Sequence, residues 1–275
     1  MGNDDPPYDW SGARGRKWLA CIAGMEATLA PADEPLIRAL DVRIGERLRV
    51  ADIACGGGGT TIAIGRAGEG THDVRGFDVS AELVAYARTR GSEIPFAVAD
   101  VSTARPDRPF DRLCSRFGVM FFADPPAAFA NLRSWLRPGG RFAFAVWGPL
   151  AENEWMSVVR EVVAGVVELP RSDPDAPGPY RYADEQKLVA LLTGAGFERI
   201  ESRPLHALLP VGGALSPADA ASFALASQST FDELLARAGD DARRAAHAAL
   251  TARFADHVHD GAVSLPSRVT ILTGY

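Results

Sequence analysis

The sequence is poor in lysine, in cysteine and in long apolar runs, and each shortage argues against a class of protein. Of its 29 basic residues only Lys17 and Lys187 are lysine, and the formal net charge is −6. A nucleic-acid-binding surface normally needs a basic patch, so we expect no nucleic-acid partner. The 3 cysteines lack CxxC spacing, and we therefore expect neither a disulfide framework nor a metal site.

The sequence also shows no sign of a membrane segment or a secretory leader. It opens with MGNDDPPYDWSG, which is acidic and lacks the apolar core of a signal peptide. No uninterrupted apolar run approaches the roughly 20 residues that cross a bilayer. We therefore expect a cytoplasmic protein that acts on a small molecule and has no membrane partner.

What the sequence does contain is a regular alternation of strand patterns with helical patterns. Seven strands are predicted within residues 47–53, 71–80, 94–100, 110–122, 137–147, 197–211 and 263–274. The alternation predicts an α/β fold with a doubly wound, mostly parallel sheet. Ligands of such sheets lie at the carboxyl ends of the strands, so the turns after the first four strands should surround one crevice.

Three segments fall outside the alternating pattern and suggest how the chain is divided. Residues 1–44 are predicted to form an N-terminal helical lid, and residues 45–200 a ligand-binding core. A loop-rich insertion, 148–181, interrupts this core. Residues 201–275 supply the last two strands around a helical insertion, 216–259. We expect the lid and at least one insertion to cover the crevice, because a reaction there benefits from excluding water.

Four consecutive glycines follow the first strand in VADIACGGGGTTIAIG, before a helical pattern begins. A backbone without side chains at this point is typical of a turn that contacts a ligand at a helix N-terminus. A P-loop is excluded, because it needs a lysine that is missing here. The dinucleotide motif GxGxxG fails too, because its sixth position is Thr61 or Ile62 in the two possible frames. The remaining candidate is a ligand that contains adenosine but no phosphate.

The segment VADIACGGG resembles the LDVGCGTG motif of class I S-adenosylmethionine-dependent methyltransferases, with Asp52, Cys55, Gly56 and Gly58 in register. FDRLCSRFGVMFFADPPAAFANLRSWLRPGGRFAFAVW resembles the fourth and fifth strands of that family. The similarity is closest to the small-molecule branch typified by ubiquinone/menaquinone methyltransferases. It implies a Rossmann-like methyltransferase fold with S-adenosyl-L-methionine as cofactor and S-adenosyl-L-homocysteine as product. The implied reaction moves a methyl group to an oxygen, nitrogen or carbon of a small apolar or aromatic metabolite.

The resemblance also implies which residues contact the cofactor. Asp78 stands where the family keeps an acid after the second strand, and its carboxylate can accept both ribose hydroxyls. Asp100 would accept from the adenine amine while the Val101 N–H meets a ring nitrogen. Backbone carbonyls near Ala54 and Ser115 would accept from the methionyl ammonium. The complete implied set is Asp52, Ala54, Cys55, Gly56, Gly58, Asp78, Val79, Asp100, Val101, Ser115 and Arg116.

Four further side chains are candidates for the reaction chamber. Trp18 and Trp147 are predicted to wall it, because aromatic faces attract a sulfonium cation and stack on planar substrates. His206, on the predicted sixth strand, is the candidate general base. Arg116 has two interpretations: it holds an acidic substrate, or it pairs with a nearby carboxylate.

Two expectations concern departures from the family. Ala54 replaces the first glycine of the usual GxGxG, which alanine tolerates if its φ angle is negative. The second concerns activity, since the same fold can bind S-adenosylmethionine without transferring a methyl group, as a scaffold or as a catalyst such as a cyclase. Methyl transfer is the favoured interpretation, and this alternative stays open at the level of the sequence.

Overall fold

The computed structural model describes residues 9–171 and 173–275, and these residues form a mixed β-sheet with helices packed against it. The strands are β1 (Arg49–Ile53), β2 (Asp73–Asp78), β3 (Phe96–Val98), β4 (Phe110–Arg116), β5 (Leu136–Trp147), β6 (Glu201–Pro210), β7 (Val258–His259) and β8 (Ala262–Gly274). The helices are α1 (Ala13–Ala20), α2 (Ile22–Leu29), α3 (Asp33–Leu40), α4 (Gly59–Ala67), α5 (Ala81–Arg90), α6 (Pro125–Trp135), α7 (Glu154–Ala164), α8 (Glu185–Gly194), α9 (Pro217–Ser227), α10 (Ser229–Ala238) and α11 (Asp240–Ala255).

The strand order confirms the predicted doubly wound, mostly parallel sheet. Seven strands lie side by side in the order β3-β2-β1-β4-β5-β8-β6, and the short β7 pairs only with β8. The first five strands pair in parallel, whereas β8 runs antiparallel to both β5 and β6. The chain first adds strands on one side of β1 and then crosses to β4 on the other side. The topological switch point, where ligands of such sheets bind, therefore lies between β1 and β4.

The central strand β1 is buried along its whole length, as expected for a strand covered on both faces. Its two charged residues are compensated by partners. Arg49 forms an ion pair with Asp73 on the neighbouring β2 at 3.0 Å. Asp52 accepts a hydrogen bond of 2.6 Å from the Thr61 hydroxyl on α4. Burial of these two groups is therefore compatible with a central position in the sheet.

Two helix starts near the carboxyl edge agree with the sequence. The Ser80 hydroxyl caps α5 by accepting from the Leu83 N–H, and the Asp124 carboxylate caps α6 by accepting from the Ala127 N–H. Each cap satisfies a main-chain donor that the helix itself leaves unpaired. The chain therefore leaves β2 and β4 through defined turns beside the switch point.

The segment 148–181 differs from the expected loop, because its first part forms α7. The buried residues of α7 recur with helical spacing, whereas the prolines that suggested a loop lie after the helix. Residues 216–259 contain α9, α10 and α11, in line with the helical insertion expected there. Within the described residues, no helix is both long enough and apolar enough to cross a membrane.

Asn131 on α6 holds the turn that follows β3. Its side-chain amide donates to the main-chain carbonyls of Val101 and Ala104, each at 2.8 Å, and the residue is buried. This turn carries Asp100 and Val101, two of the predicted site residues. The Asn131 side chain therefore links the packing of α6 to the geometry of the predicted site.

We expect Asn131→Ala to lower the free energy of unfolding by about 1–3 kcal/mol, because the Val101 carbonyl loses its side-chain donor, whereas the Ala104 carbonyl keeps that of the Trp135 ring N–H. Urea denaturation followed by circular dichroism measures this. Thr103→Ala in the same turn is the matched control, because Thr103 is exposed and its hydroxyl forms only a 3.4 Å bond to Asp100. Equal effects of the two substitutions would contradict the role given to Asn131.

Candidate functional site

A cavity of about 1150 Å³ lies at the carboxyl edge of the sheet, around the switch point. Its inner wall is built by the turns that follow four parallel strands. These turns contribute residues 54–57 after β1, 77–79 at the end of β2, 99–102 after β3 and 116–118 after β4. The crevice that the strand pattern predicts is therefore present in the fold.

Segments outside the sheet complete the wall of this cavity. The N-terminal segment contributes Trp10, Trp18 and Glu26, and the segment between β5 and α8 contributes residues on and after α7. The junction of α9 and α10 adds residues 227–231. All three segments that the sequence places outside the core thus reach the same cavity.

Nine of the eleven predicted cofactor residues lie on the cavity wall, and so do Trp18 and Trp147. The nine are Asp52, Ala54, Cys55, Gly56, Asp78, Val79, Asp100, Val101 and Arg116. Gly58, Ser115 and His206 are the predicted site residues that do not line it. The placement brings most of the set together, and the contacts with a cofactor stay predictions.

Gly58 and Ser115 instead make contacts within the protein that stabilise the fold. Gly58 has a φ of +82°, and a Cβ built there would lie only 2.9 Å from the Phe96 ring. Glycine is therefore needed for backbone conformation and close packing at the start of α4. Ser115 is fully buried, and its hydroxyl donates to the Ile53 carbonyl at 2.8 Å, which ties β4 to the end of β1.

The prediction of His206 as a general base is corrected by the position of its strand. His206 lies on β6, opposite Arg268 of β8, and β8 separates it from β5. Its side chain is exposed, and it is not part of the cavity wall. A base must come within hydrogen-bond reach of the proton that it removes, which this position does not provide.

Ala54 adopts the conformation of the glycine that it replaces. Its φ is +54°, so the condition under which alanine was expected to be tolerated is not met. A Cβ built on Gly118 would lie 2.4 Å from the Ala54 Cβ, so the two positions cannot both carry a side chain without a shift. Gly118 therefore provides the space that the Ala54 methyl group occupies. Gly118 carries no signal in the sequence, because its backbone comes close to Ala54 only in the folded chain.

The Asp78 carboxylate connects β2 to the glycine turn. Its two oxygens accept from the Gly56 N–H at 2.8 Å and the Ser80 N–H at 2.9 Å. Burial raises the pKa of Asp78, while these N–H groups and that of Val79 oppose the rise. A carboxylate has about four acceptor positions. Asp78 therefore keeps acceptor capacity for a ligand in the cavity.

Asp100 is more exposed than Asp78 and belongs to the turn held by Asn131. One of its carboxylate oxygens accepts from both the main-chain N–H and the hydroxyl of Ser102, at 2.9 and 2.6 Å. These bonds fix the orientation of the carboxylate at the cavity wall. Asp100 can therefore act as a preoriented acceptor, as the adenine interaction would require.

Arg116 takes the second of its two expected roles and pairs with a carboxylate. Its guanidinium lies 2.8 Å from Asp33 at the start of α3, and both side chains are largely buried. Asp33 also accepts from the Thr60 hydroxyl at 2.7 Å. The charge of Arg116 is thus compensated by Asp33. No local sequence pattern indicates Asp33 as the partner of Arg116, because 83 residues separate the two.

Asp52, on β1, is enclosed and its ionisation is disfavoured. The pKa of Asp52 is raised to about 7, chiefly by burial and to a smaller extent by the nearby charges of Asp33 and Asp78. The hydrogen bond from Thr61 and the charge of Arg116 act in the opposite direction. A positively charged ligand near Asp52 would favour its carboxylate form.

The N-terminal helices contact the glycine turn directly. The Trp18 ring nitrogen would lie 3.9 Å from a Cβ built on Gly56. Glu26 forms an ion pair with Arg90, which also donates to the Gly57 carbonyl at 2.9 Å. These contacts place α1 and α2 over the turn on the cavity side.

Aromatic rings line the cavity beside the end of β5. Trp147 stacks on Phe117 with ring centroids 4.1 Å apart and contacts Trp155 of α7 at 5.8 Å. The stacked pair gives the chamber a flat apolar surface. In the described ranges, no group of three or more His, Cys, Asp and Glu side chains is arranged to hold a metal ion.

Comparisons with known proteins agree with the fold and the turn sequence. Residues 50–140 match the family described as a methyltransferase domain. A malonyl-[acyl-carrier protein] O-methyltransferase of Magnetococcus marinus is 32% identical over 131 residues, covering 46% of this chain and 48% of that protein. A ubiquinone/menaquinone biosynthesis C-methyltransferase of Cupriavidus necator is 29% identical over 170 residues, covering 56% of this chain and 68% of that protein.

A solved structure shares the fold at low sequence identity. Phosphoethanolamine N-methyltransferase 2 of Haemonchus contortus, in complex with S-adenosyl-L-methionine, aligns with a TM-score of 0.55 and 16% identity. The alignment covers 97% of this chain and 59% of that one. The chain spans about half the length, or less, of the first curated relatives that it matches.

These findings confirm the recognition made from the sequence. Residues 50–140 match a methyltransferase domain, and the sheet has the Rossmann-like arrangement expected for class I S-adenosylmethionine-dependent methyltransferases. The ubiquinone/menaquinone-like branch has weaker support, since it rests on the match at 29% identity.

The raised pKa of Asp52 predicts a pH dependence of stability. Between about pH 4 and pH 7 the folded protein holds a proton on Asp52 that the unfolded chain has released, so this group lowers stability as pH rises. Above the folded pKa of about 7 both states are ionised and the cost is fully present. Asp52→Asn removes the titration and keeps an acceptor for Thr61.

We therefore expect Asp52→Asn to gain stability relative to the unsubstituted protein as pH rises from 4 to 7, by at most about 1.4 kcal/mol per pH unit. Urea denaturation at several pH values measures the difference. Asp241→Asn, at an exposed site on α11, is the control for replacing a carboxylate by an amide. A difference for Asp52→Asn that does not change with pH would refute the raised pKa.

Proposed function

We propose that this protein binds S-adenosyl-L-methionine in the cavity and transfers its methyl group to a small-molecule acceptor. The observation that carries the proposal is the Asp78 carboxylate, which is buried beside the cavity and hydrogen-bonded to Gly56 of the glycine turn. The arrangement offers a ribose diol an ionisable acceptor and leaves no side chain at Gly56 to block its approach. The methyltransferase-domain match and the cofactor-bound fold relative support the same choice of ligand.

The acidic groups of the inner wall suit the charge of this cofactor. We place the ribose at Asp78, the adenine at Asp100 and Val101, and the methionyl group near the carbonyl of Ala54. The sulfonium and ammonium groups then lie on the same side of the cavity as Asp52 and Asp78. A cation there offsets part of the cost of burying these carboxylates.

Methyl transfer in this chamber would proceed by in-line displacement at the sulfonium carbon. Fixing the acceptor atom and the methyl group in near-attack geometry can supply much of the rate. The stacked surface of Trp147 and Phe117 is suited to orient a planar acceptor. A general base is needed only if the acceptor atom must lose its proton early, and His206 is not placed for that role.

We further propose that residues 1–44 and the two insertions act as a lid over the reactants. The described part of the N-terminal segment supports this, because Trp18 and Glu26 lie on the cavity wall. Lys17 of α1 also forms a 2.8 Å ion pair with Glu233 of α10, which joins the lid to the helical insertion. Residues 1–8 of the expected lid lie outside the described residues. Closure of this kind excludes water from the reacting groups.

The proposed partner is a small molecule, and the proposed location is the cytoplasm. A cavity of about 1150 Å³ accommodates the cofactor and a small acceptor, and the net charge of −6 disfavours nucleic acid. Cys21, Cys55 and Cys114 are free, which suits the cytoplasmic location expected from the sequence.

Ligand specificity is the first test of the proposal. We expect S-adenosyl-L-homocysteine to raise the melting temperature, because it binds only the folded state, while NAD and ATP at the same concentration leave it unchanged. Differential scanning fluorimetry measures the shifts. Stabilisation by NAD in preference would overturn the proposed cofactor. Incubation with S-adenosyl-L-methionine and a panel of acceptors then separates methyl transfer from binding alone, since only transfer releases S-adenosyl-L-homocysteine stoichiometrically with a methylated product.

The second test concerns the Asp78 carboxylate. We expect Asp78→Asn to weaken S-adenosyl-L-homocysteine binding by about 30-fold or more, since a neutral amide replaces a charged acceptor for the ribose diol. Titration calorimetry gives the affinities, and circular dichroism verifies that the variant is folded. Asp219→Asn at the start of α9 is the control and should bind like the unsubstituted protein. Unchanged affinity in Asp78→Asn would remove this residue from the cofactor site.

A further inference from the structure

The two ends of the cavity carry charges of opposite sign. The inner wall presents the carboxylates Asp52, Asp78 and Asp100 at the ends of β1, β2 and β3. The outer wall, formed by the segment between β5 and α8, presents three arginines, Arg160, Arg171 and Arg181, and one carboxylate, Asp173. None of these three arginines forms an ion pair with a described residue within 4.0 Å, whereas Arg116 is paired with Asp33. Within the described chain, the arginines at the outer end therefore lack the carboxylate partner that Arg116 has in Asp33.

Arg160 is the best placed of the three arginines to meet a ligand. Arg171 is exposed, and Arg181 donates to the main-chain carbonyl of Phe122. Arg160 lies half-buried on α7 and has no hydrogen-bond partner among the residues that the structure describes. A guanidinium enclosed in this way gains from an oxyanion, because its planar donors match the two oxygens of such a group.

Arg160 lies near the Tyr180 hydroxyl, and two other donors without partners in the described part of the chain line the same cavity. Tyr180 is close enough for the two groups to interact electrostatically, and burial raises the pKa of its hydroxyl, so the hydroxyl stays protonated. The Tyr180 hydroxyl, the Trp155 ring N–H and the Gln228 amide nitrogen are enclosed without a partner among the described residues. All three residues belong to the cavity wall. An enclosed donor without an acceptor is unfavourable, so an acceptor-rich group that reaches them would be stabilised.

Apolar side chains from α7, the loop after it and the end of β5 line the same cavity. Met156 follows Trp155 on α7, Leu169 comes from the loop after it, and Trp147 lies against Trp155. They give the outer end an apolar surface next to one half-buried cation. A ligand that fits both features must carry an apolar body and an anionic group.

We propose that the acceptor substrate is an amphipathic organic anion, whose oxyanion is bound by Arg160 beside Tyr180 and whose apolar body packs on Trp147, Met156 and Leu169. This inference rests on the proposed function and specifies its substrate class. The charges then alternate along the cavity: carboxylates of the protein face the cationic cofactor, and an arginine faces the anionic group of the acceptor. The charge of each reactant is thus complementary to one end of the cavity, which favours one relative orientation of cofactor and acceptor.

Two fluorescent probes with related ring systems test this inference. 8-Anilinonaphthalene-1-sulfonate is anionic, and N-phenyl-1-naphthylamine has the same rings without the sulfonate. Each probe is titrated into the unsubstituted protein, Arg160→Gln, Arg160→Lys and Arg237→Gln, with S-adenosyl-L-homocysteine present. Arg237 lies exposed near the end of α10, outside the cavity wall, and its substitution removes the same charge as Arg160→Gln.

We expect Arg160→Gln to weaken binding of the sulfonate about tenfold or more and to leave the uncharged probe within twofold, because only the first loses a charge-assisted contact. Arg160→Lys should restore part of the affinity, and Arg237→Gln should change neither probe. Equal sulfonate affinity in Arg160→Gln and the unsubstituted protein, equal losses for both probes, or no sulfonate binding to the unsubstituted protein would each overturn the inference. The proposed function fails by a different result, namely no stabilisation by S-adenosyl-L-homocysteine, and that result leaves the contrast between the two probes readable.

Discussion

The site depends on one hydrogen bond, from the Gly56 N–H to the Asp78 carboxylate at 2.8 Å. The adjacent Cys55 N–H donates to the Phe77 carbonyl at 3.0 Å, which holds the turn after β1 against the end of β2. To make these contacts the chain takes positive φ angles at Ala54, Gly56 and Gly58. Such angles are costly for residues other than glycine, and a fixed network of bonds is what maintains them. The open face of the turn and the position of the acid are thus consequences of the same constraint.

The N-terminal helices compensate polar groups at the rim of this turn. Asp33 compensates Arg116, and Glu26 compensates Arg90, which in turn donates to the Gly57 carbonyl. Largely buried charges are tolerated when they are paired and hydrogen-bonded. With these groups satisfied inside the protein, the cavity keeps its remaining charges for a ligand. The covering helices therefore contribute to the electrostatics of the site as well as to its enclosure.

Most of the sheet and much of the site could be predicted because their signals are local. Strand periodicity located β1, β2 and β4, and the caps Ser80 and Asp124 stand immediately before the helices that they begin. The position of Asp78 follows from the end of β2, since a residue at the carboxyl end of a parallel strand must face the crevice edge.

The features that sequence reasoning missed depend on contacts between distant parts of the chain. Asp33 meets Arg116, and Gly118 makes room for Ala54, only after the sheet has formed. His206 was predicted to belong to the site but lies outside it. No local pattern in the sequence indicates that β6 takes the edge position of the sheet. Arg160 was not predicted, because the sequence pattern indicated a loop where α7 forms. The direction of a side chain can be inferred from helical spacing but not from a loop.

The distribution of charge suggests how the two proposed ligands would influence each other. Burial raises the pKa values of Asp52 and Asp78, so the ionised forms of these carboxylates are disfavoured at the inner end of the cavity. A cationic cofactor stabilises their ionised forms, and its own charge then faces the outer end of the cavity. An anion at Arg160 would interact favourably with that charge as well as with the guanidinium. Favourable interaction between two bound ligands is reciprocal, so each would strengthen the binding of the other. The arrangement thus links substrate selection to the presence of the methyl donor, through charges contributed by opposite ends of one cavity.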